Sequence, residues 1–206
     1  MSGEEPQGAV TLAAPSLRYG ASFLAGAAEF AAENRLDSTY AGFLGYDLDR
    51  LRSDLRAFVW DLKRLGERER LRSTGYQDRV LWLISRGEYA GQSSVRPELN
   101  TPYLITYGGH IGYSIRPSQR SKGLGKRILA LTLDRAEAMG LAQVLVTCDA
   151  DNLASKRIIE VNGGQFESAM SMGPEVLRAE GRSSREPVDK LRYWIDLTDR
   201  PSRPAL

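Results

Sequence analysis

Apolar residues fall along this chain in two alternating periods. Over residues 47–71, Leu48, Leu51, Leu55, Phe58, Val59, Leu62 and Leu65 recur at steps of three and four, the spacing that gathers side chains on one helical face. This predicts a single helix, with Gly66 as its weak point. The opposite face (Arg50, Arg52, Asp54, Arg56, Asp61, Lys63, Arg64) reads as solvated mixed charge. An earlier Ala-rich stretch, residues 21–34, carries Phe23, Leu24, Ala27, Ala28 and Phe30 on one side and predicts a first helix. Residues 79–86 and 89–95 are β-rich runs around Gly87, a hairpin pattern. Residues 110–116 alternate as a central strand. Residues 124–139 return to the helical period, with Leu124, Ile128 and Leu131 beside Leu129, Leu133 and Ala136, and Gly140 placed to end the helix. Residues 143–148 (QVLVTC) form a nearly continuous apolar run, the mark of a strand buried on both faces. Strand, helix and strand at this spacing predict a right-handed crossover with parallel strands. A helix over 153–161, strands over 165–170 and 191–197, and an exposed connection over 173–189 complete the pattern. Residues 1–15 and 201–206 show no periodicity and read as flexible tails on one domain spanning 16–200.

The junction between the central strand and the following helix carries candidate chemistry. Its sequence, Arg116-Pro117-Ser118-Gln119-Arg120-Ser121-Lys122-Gly123-Leu124-Gly125-Lys126, places two glycines at a helix start. The first helical turn leaves backbone N–H groups unpaired at the positive end of the helix dipole, a ready phosphate site. Arg120, Lys122, Lys126 and Arg127 add cationic charge. No Gly-x-x-x-x-Gly-Lys-Ser/Thr loop is present, and Ile128 stands where a dinucleotide fingerprint needs its third glycine.

Composition narrows the function classes. With 206 residues, 42% hydrophobic and 26% charged, the chain has ordinary globular character. A formal net charge of +2 gives no strong field for nucleic acid or an anionic membrane, and no basic run with interleaved aromatics supports nucleic-acid binding. The single cysteine, Cys148, excludes an internal disulfide and a CxxC metal site. No apolar run approaches bilayer length, so a cytoplasmic location without a metal cofactor is expected.

The segment Arg120-x-x-Gly123-x-Gly125 resembles the pyrophosphate loop of the GNAT superfamily of acyl-CoA-dependent N-acetyltransferases. Ile115-Arg116-Pro117 resembles that family's central strand, and Asn152-x-x-Ser155 followed by Asn162-Gly163-Gly164 resembles its next helix. The resemblance covers residues 79–197. It implies a GNAT-like α/β (α+β) fold: a mixed, mostly antiparallel central sheet with a parallel strand pair at the cofactor site, flanked by helices. It implies acetyl-CoA as co-substrate and attack by a primary amine of a small-molecule acceptor through a tetrahedral intermediate, with homodimerisation as a family habit. Residue by residue, the amides of Arg120, Ser121, Lys122, Gly123, Leu124, Gly125 and Lys126 would hold the pyrophosphate. Ile115, Arg116, Asn152 and Ser155 would line the pantetheine arm, although Asn152 also reads as a plain helix cap.

Acyl transfer needs a base, an oxyanion donor and a proton for the leaving thiolate. His110, the single histidine, falls where the family places its base and also reads as a structural residue. A backbone N–H near Ser114 or Ile115 would serve the oxyanion. The family's usual tyrosine, seven residues after the helix asparagine, is Ile159 here. Tyr193, Tyr113, Tyr107, Cys148 or water would have to replace it. Arg96 and Asn100, in a proline-bounded loop, join His110 as candidate acceptor contacts. The competing reading is a non-catalytic acyl-CoA-binding module or sensor.

Overall fold

The computed structural model describes residues 9–67, 77–179 and 187–198. Its centre is a seven-stranded sheet in the order β1-β2-β3-β4-β5-β7-β6. The strands are β1 (Val10–Ala13), β2 (Arg79–Ser85), β3 (Glu88–Val95), β4 (Ile111–Ile115), β5 (Gln143–Asp149), β6 (Gln165–Met172) and β7 (Val188–Asp196). All neighbours are antiparallel except β4 and β5, which are parallel and meet at Ile111 and Val146 before diverging. This is the expected mixed sheet, and the divergence opens a gap in its middle.

Helix α1 (Gly20–Ala32) covers one face. Phe23 is stacked on Trp82 with ring centroids 4.6 Å apart, and Phe58 lies 5.2 Å from Phe23 on its other side. Helix α4 (Leu124–Ala138) covers the opposite face, where Leu129, Leu133 and Ala136 bury themselves against Val144, Val146 and Ile195. The two cores leave the β4–β5 gap between them.

Three expectations change. The unpatterned N-terminal segment contains β1, in which Leu12 pairs with Leu83 and is buried; four residues are too few for alternation to declare itself. The helix expected over 47–71 is two, α2 (Leu48–Ser53) and α3 (Leu55–Arg64). Helix α3 ends at Arg64, two residues before Gly66, and an unexpected break falls earlier, at Asp54. There φ is −138° and ψ is 50°, and the carboxylate accepts from the Ala57 N–H at 3.2 Å, so the side chain caps one helix by ending the other. Residues 68–71 of the expected helix lie outside the described residues. The connection over 173–189 holds a short helix, α6 (Pro174–Ala179), and the start of β7; residues 180–186 and the expected tail 201–206 lie outside the described residues. The helix expected over 153–161 is α5 (Leu153–Val161).

Candidate active site

The loop between β4 and α4 turns sharply. Ser121 and Gly123 have φ of 60° and 78°, the left-handed region that glycine enters without steric cost. No side chain caps α4, so its first-turn amides keep their hydrogen-bonding capacity. The glycines meet different demands. A Cβ on Gly123 would meet nothing within 4 Å, so its role is conformational, whereas one on Gly125 would sit 2.5 Å from Ile158 Cδ1, so α4 and α5 approach closely there.

This loop, β4 and α5 enclose a cavity of about 500 Å³. Of the expected cofactor residues, Ile115, Arg120, Ser121, Gly123, Gly125 and Lys126 line it, and so do Asn152 and Ser155. The side chains of three others are engaged elsewhere, which leaves open the backbone-amide role expected of Lys122 and Leu124. Arg116 pairs with Glu29 at 2.7 Å and reaches the carbonyls of Ser22 and Tyr89. Lys122 braces its own turn, donating to Ser118 O at 2.7 Å and Gln119 Oε1 at 3.2 Å. Leu124 is buried in the core with Leu83 and Ile128. Even Arg120 is bound within the chain, forking onto Glu33 at 2.7 and 2.8 Å and holding that carboxyl below its ordinary range. Asn152 is the helix cap, its Oδ1 accepting from Ser155 N–H at 3.0 Å, and it lines the cavity as well.

A second cavity, about 790 Å³, lies beside the first. Its wall comes from the segment after α1 (Arg35, Asp37, Tyr40, Phe43), from Asp78 and Arg96, and from Tyr103 and Tyr107. Of the two residues expected to contact the acceptor, Arg96 lines this second cavity and Asn100 lines neither. The Arg96 guanidinium is held by Asp78 at 3.2 Å, and the Tyr40 hydroxyl donates to the same carboxylate oxygen and sits 2.8 Å from Ser94 Oγ. Burial beside that carboxylate drives the Tyr40 phenol upward. The other Asp78 oxygen is buried without a hydrogen-bond partner.

His110 lines neither cavity. It sits one residue before β4, where its Nδ1 accepts from Leu145 N–H at 2.9 Å and its own N–H donates to Leu145 O at 2.8 Å. Accepting at Nδ1 leaves the proton on Nε2. Burial and the nearby Arg96 charge pull the imidazole down to about 4. The residue fastens the top of the β4–β5 gap with its Nδ1 lone pair occupied by Leu145 N–H. Tyr193 is likewise in the core, 2% exposed, with burial raising its phenol. Cys148 borders the second cavity, and burial pushes its thiol up to about 11.

The hydroxyl of Ser114 donates to Ser38 O at 2.9 Å. Its main chain faces β3: Arg116 N–H donates to Ala90 O at 2.9 Å, and a Cβ on Gly91 would meet Ser114 O at 2.4 Å. By strand alternation the amides of Tyr113 and Ile115, not that of Ser114, face the edge opened toward β5.

Sequence reading missed the turn of π-helix at Leu104–Gly108. Its signal is the pair Tyr103 and Tyr107, four residues apart, whose rings lie 6.0 Å from each other. Among the described residues no three His, Cys, Asp or Glu side chains gather as a metal site, and no helix is long and apolar enough to cross a membrane.

A mixed sheet splayed at one parallel pair, with an uncapped helix N-terminus beside the gap, is the arrangement that the resemblance to acyl-CoA-dependent acyltransferases implies. The chain belongs to the GNAT acetyltransferase domain family, whose model matches residues 27–165. Comparison with curated protein sequences gives no match. Among solved structures, Mycobacterium smegmatis RimJ in complex with CoA-disulfide is similar at 20% identity and a TM-score of 0.63, covering 96% of this chain and 86% of that one. The microcin self-immunity acetyltransferase MccE, in complex with acetyl-CoA and AMP, is similar at 16% identity and 0.60, with 93% and 97% covered. RimL, a ribosomal alpha-N-protein acetyltransferase in complex with coenzyme A, gives 18%, 0.57, 91% and 95%. Likenesses at these identities show the fold.

Proposed function

We propose that this acetyltransferase moves an acetyl group from acetyl-CoA to a primary amine of a small molecule, by direct attack on the thioester. The carrying observation is the pair of adjoining cavities: one beside the uncapped start of α4, the other walled by the chain after α1, with Tyr113 and Ser155 common to both. In this reading the first-turn amides of α4 and the left-handed loop hold the pyrophosphate, and the unpaired edge of β4 carries the pantetheine arm. The amides of Tyr113 and Ile115 receive the developing oxyanion. The cofactor's contribution is an activated acyl thioester. On the acceptor side, Asp37 offers an exposed carboxylate to an incoming ammonium group. A cavity of about 790 Å³ suits a metabolite-sized ligand. RimJ, MccE and RimL support the cofactor reading.

A calorimetric titration with acetyl-CoA, with ATP and NAD as controls, tests it. Selective binding that Gly125→Leu weakens by about tenfold or more is expected, followed by thiol release in an amine screen. Equal affinity of the Gly125→Leu variant for acetyl-CoA would remove the loop from the cofactor site.

A further inference from the structure

The second cavity sets three cations against three carboxylates: Arg35, Arg96 and Lys190 against Asp37, Asp78 and Asp149. A wall of balanced charge favours no ligand of a single sign. Four of the six satisfy one another. Arg96 pairs with Asp78 at 3.2 Å, and Lys190 with Asp149 at 2.7 Å. Arg35 and Asp37 differ. Among the described residues neither side chain has a hydrogen-bond or ion-pair partner, and Arg35 acts on Glu33 only through its field. The two charges share one short segment, the 3-10 turn Leu36–Thr39 and the residue before it. Ser38 O accepts from Gln92 Nε2 at 2.7 Å and from Ser114 Oγ at 2.9 Å, so β3 and β4 hold the turn in place. A Cβ on Gly42 would lie 1.8 Å from Asp37 Oδ1, so the carboxylate sits in space that only a glycine leaves. Arg35 borders the first cavity, the second and a third, smaller one, and Asp37 borders the second and third. Much of the remaining wall is aromatic. Tyr40 and Phe43 have ring centroids 6.2 Å apart, and Tyr103 and Tyr107 lie 6.0 Å apart.

From this arrangement we infer that the acceptor is a zwitterion, a free α-amino acid with an apolar or aromatic side chain. Arg35 takes its carboxylate and Asp37 draws in its ammonium group. The inference rests on the acetyl-transfer reading above and names the acceptor class within it. A guanidinium presents a planar fork that a carboxylate meets with two parallel hydrogen bonds. An α-amino acid carries its two charges on neighbouring atoms of one carbon, so one short turn can meet both. The aromatic pairs then face the side chain. A plain amine or a peptide N-terminus brings no carboxylate and leaves Arg35 unanswered. A diamine brings a second cation against it. Balanced charge, an unpaired cation and an unpaired carboxylate on one anchored turn select a ligand that carries both signs.

The test measures thiol release from acetyl-CoA with free phenylalanine, tyrosine, tryptophan, leucine and methionine, each paired with its carboxamide. The carboxamide keeps the amine and the side chain and removes only the negative charge. For the preferred member, kcat/KM of the acid should exceed that of its amide by about tenfold or more, the scale of one charge-assisted contact. Arg35→Gln should shrink this ratio to within about twofold. Arg35→Lys keeps the charge without the fork and should fall between. Amides turned over as fast as the acids, or faster, would overturn the inference. So would a ratio that Arg35→Gln leaves unchanged, or wild type that binds acetyl-CoA and acetylates none of the acids. Loss of acetyl-CoA affinity in Arg35→Gln at an unchanged ratio would assign Arg35 to the first cavity instead. Failure of wild type to bind acetyl-CoA at all is a different result and would sink the cofactor reading itself.

Discussion

His110 and Leu145 are joined twice, through imidazole Nδ1 to amide at 2.9 Å and through amide to carbonyl at 2.8 Å. This double clasp stands immediately before the strands part. Burial and the Arg96 charge disfavour the imidazolium, which would also put a proton where the Leu145 N–H already points. The folded value is about 4 against about 6.5 unfolded. The unfolded chain therefore binds more protons between these values, and stability present above about pH 6.5 is lost as pH falls toward 4. The contribution is about 3 kcal/mol, reduced to the extent that solvent screens the partly buried ring. Urea denaturation at a series of pH values should show this slope in wild type and lose most of it in His110→Phe. Activity above pH 7 should survive in any His110 variant that folds.

Arg96 and Asp78 form a pair 15% and 1% exposed in their side chains. Removing the cation alone strands a buried carboxylate, which costs about 3–5 kcal/mol. Arg96→Ala should lose that much by denaturant melts, and adding Asp78→Asn should return a substantial part of it. Equal losses for the single and double variants would mean that Arg96 stabilises by packing alone.

Gly109 has φ of 71°, and a Cβ there would lie 2.6 Å from Leu145 O. Strain and a backbone contact act together, so Gly109→Ala should cost about 2–4 kcal/mol. Gly163, also left-handed at φ 92° but with nothing near its Cβ, is the control. Its alanine variant should cost about 1 kcal/mol.

Glu33 holds the Arg120 guanidinium that lines the cavity beside the start of α4, where the proposed function seats acetyl-CoA. Glu33→Gln should free that charge and tighten acetyl-CoA binding by about two- to fivefold at low salt. The gain should shrink as ionic strength rises. Unchanged binding would assign Arg120 to bracing α1.

The strands and helices that carry long apolar periods were legible: residues 124–139 and 143–148 fold almost as their patterns require. What local pattern could not carry was competition between a side chain and the backbone. Asp54 ends one helix by capping the next, and β1 is defined by its partner Leu83 more than by its own four residues. The shape of the β4–α4 loop was readable because glycine spacing dictates backbone shape directly. Its charges were not, because Arg116, Arg120 and Lys122 find partners far along the chain or within their own turn. His110 shows the same limit. Its chemistry suits a base, and only the position of Leu145 reveals that its lone pair is taken.

Glu29 and Glu33 tie the last turn of α1 to the β4–α4 loop, and within seven residues of Glu33 the same segment supplies Arg35, Asp37 and Tyr40 to the second cavity. A ligand that drew Arg120 away from Glu33 would loosen the tie between that loop and the wall of the second cavity.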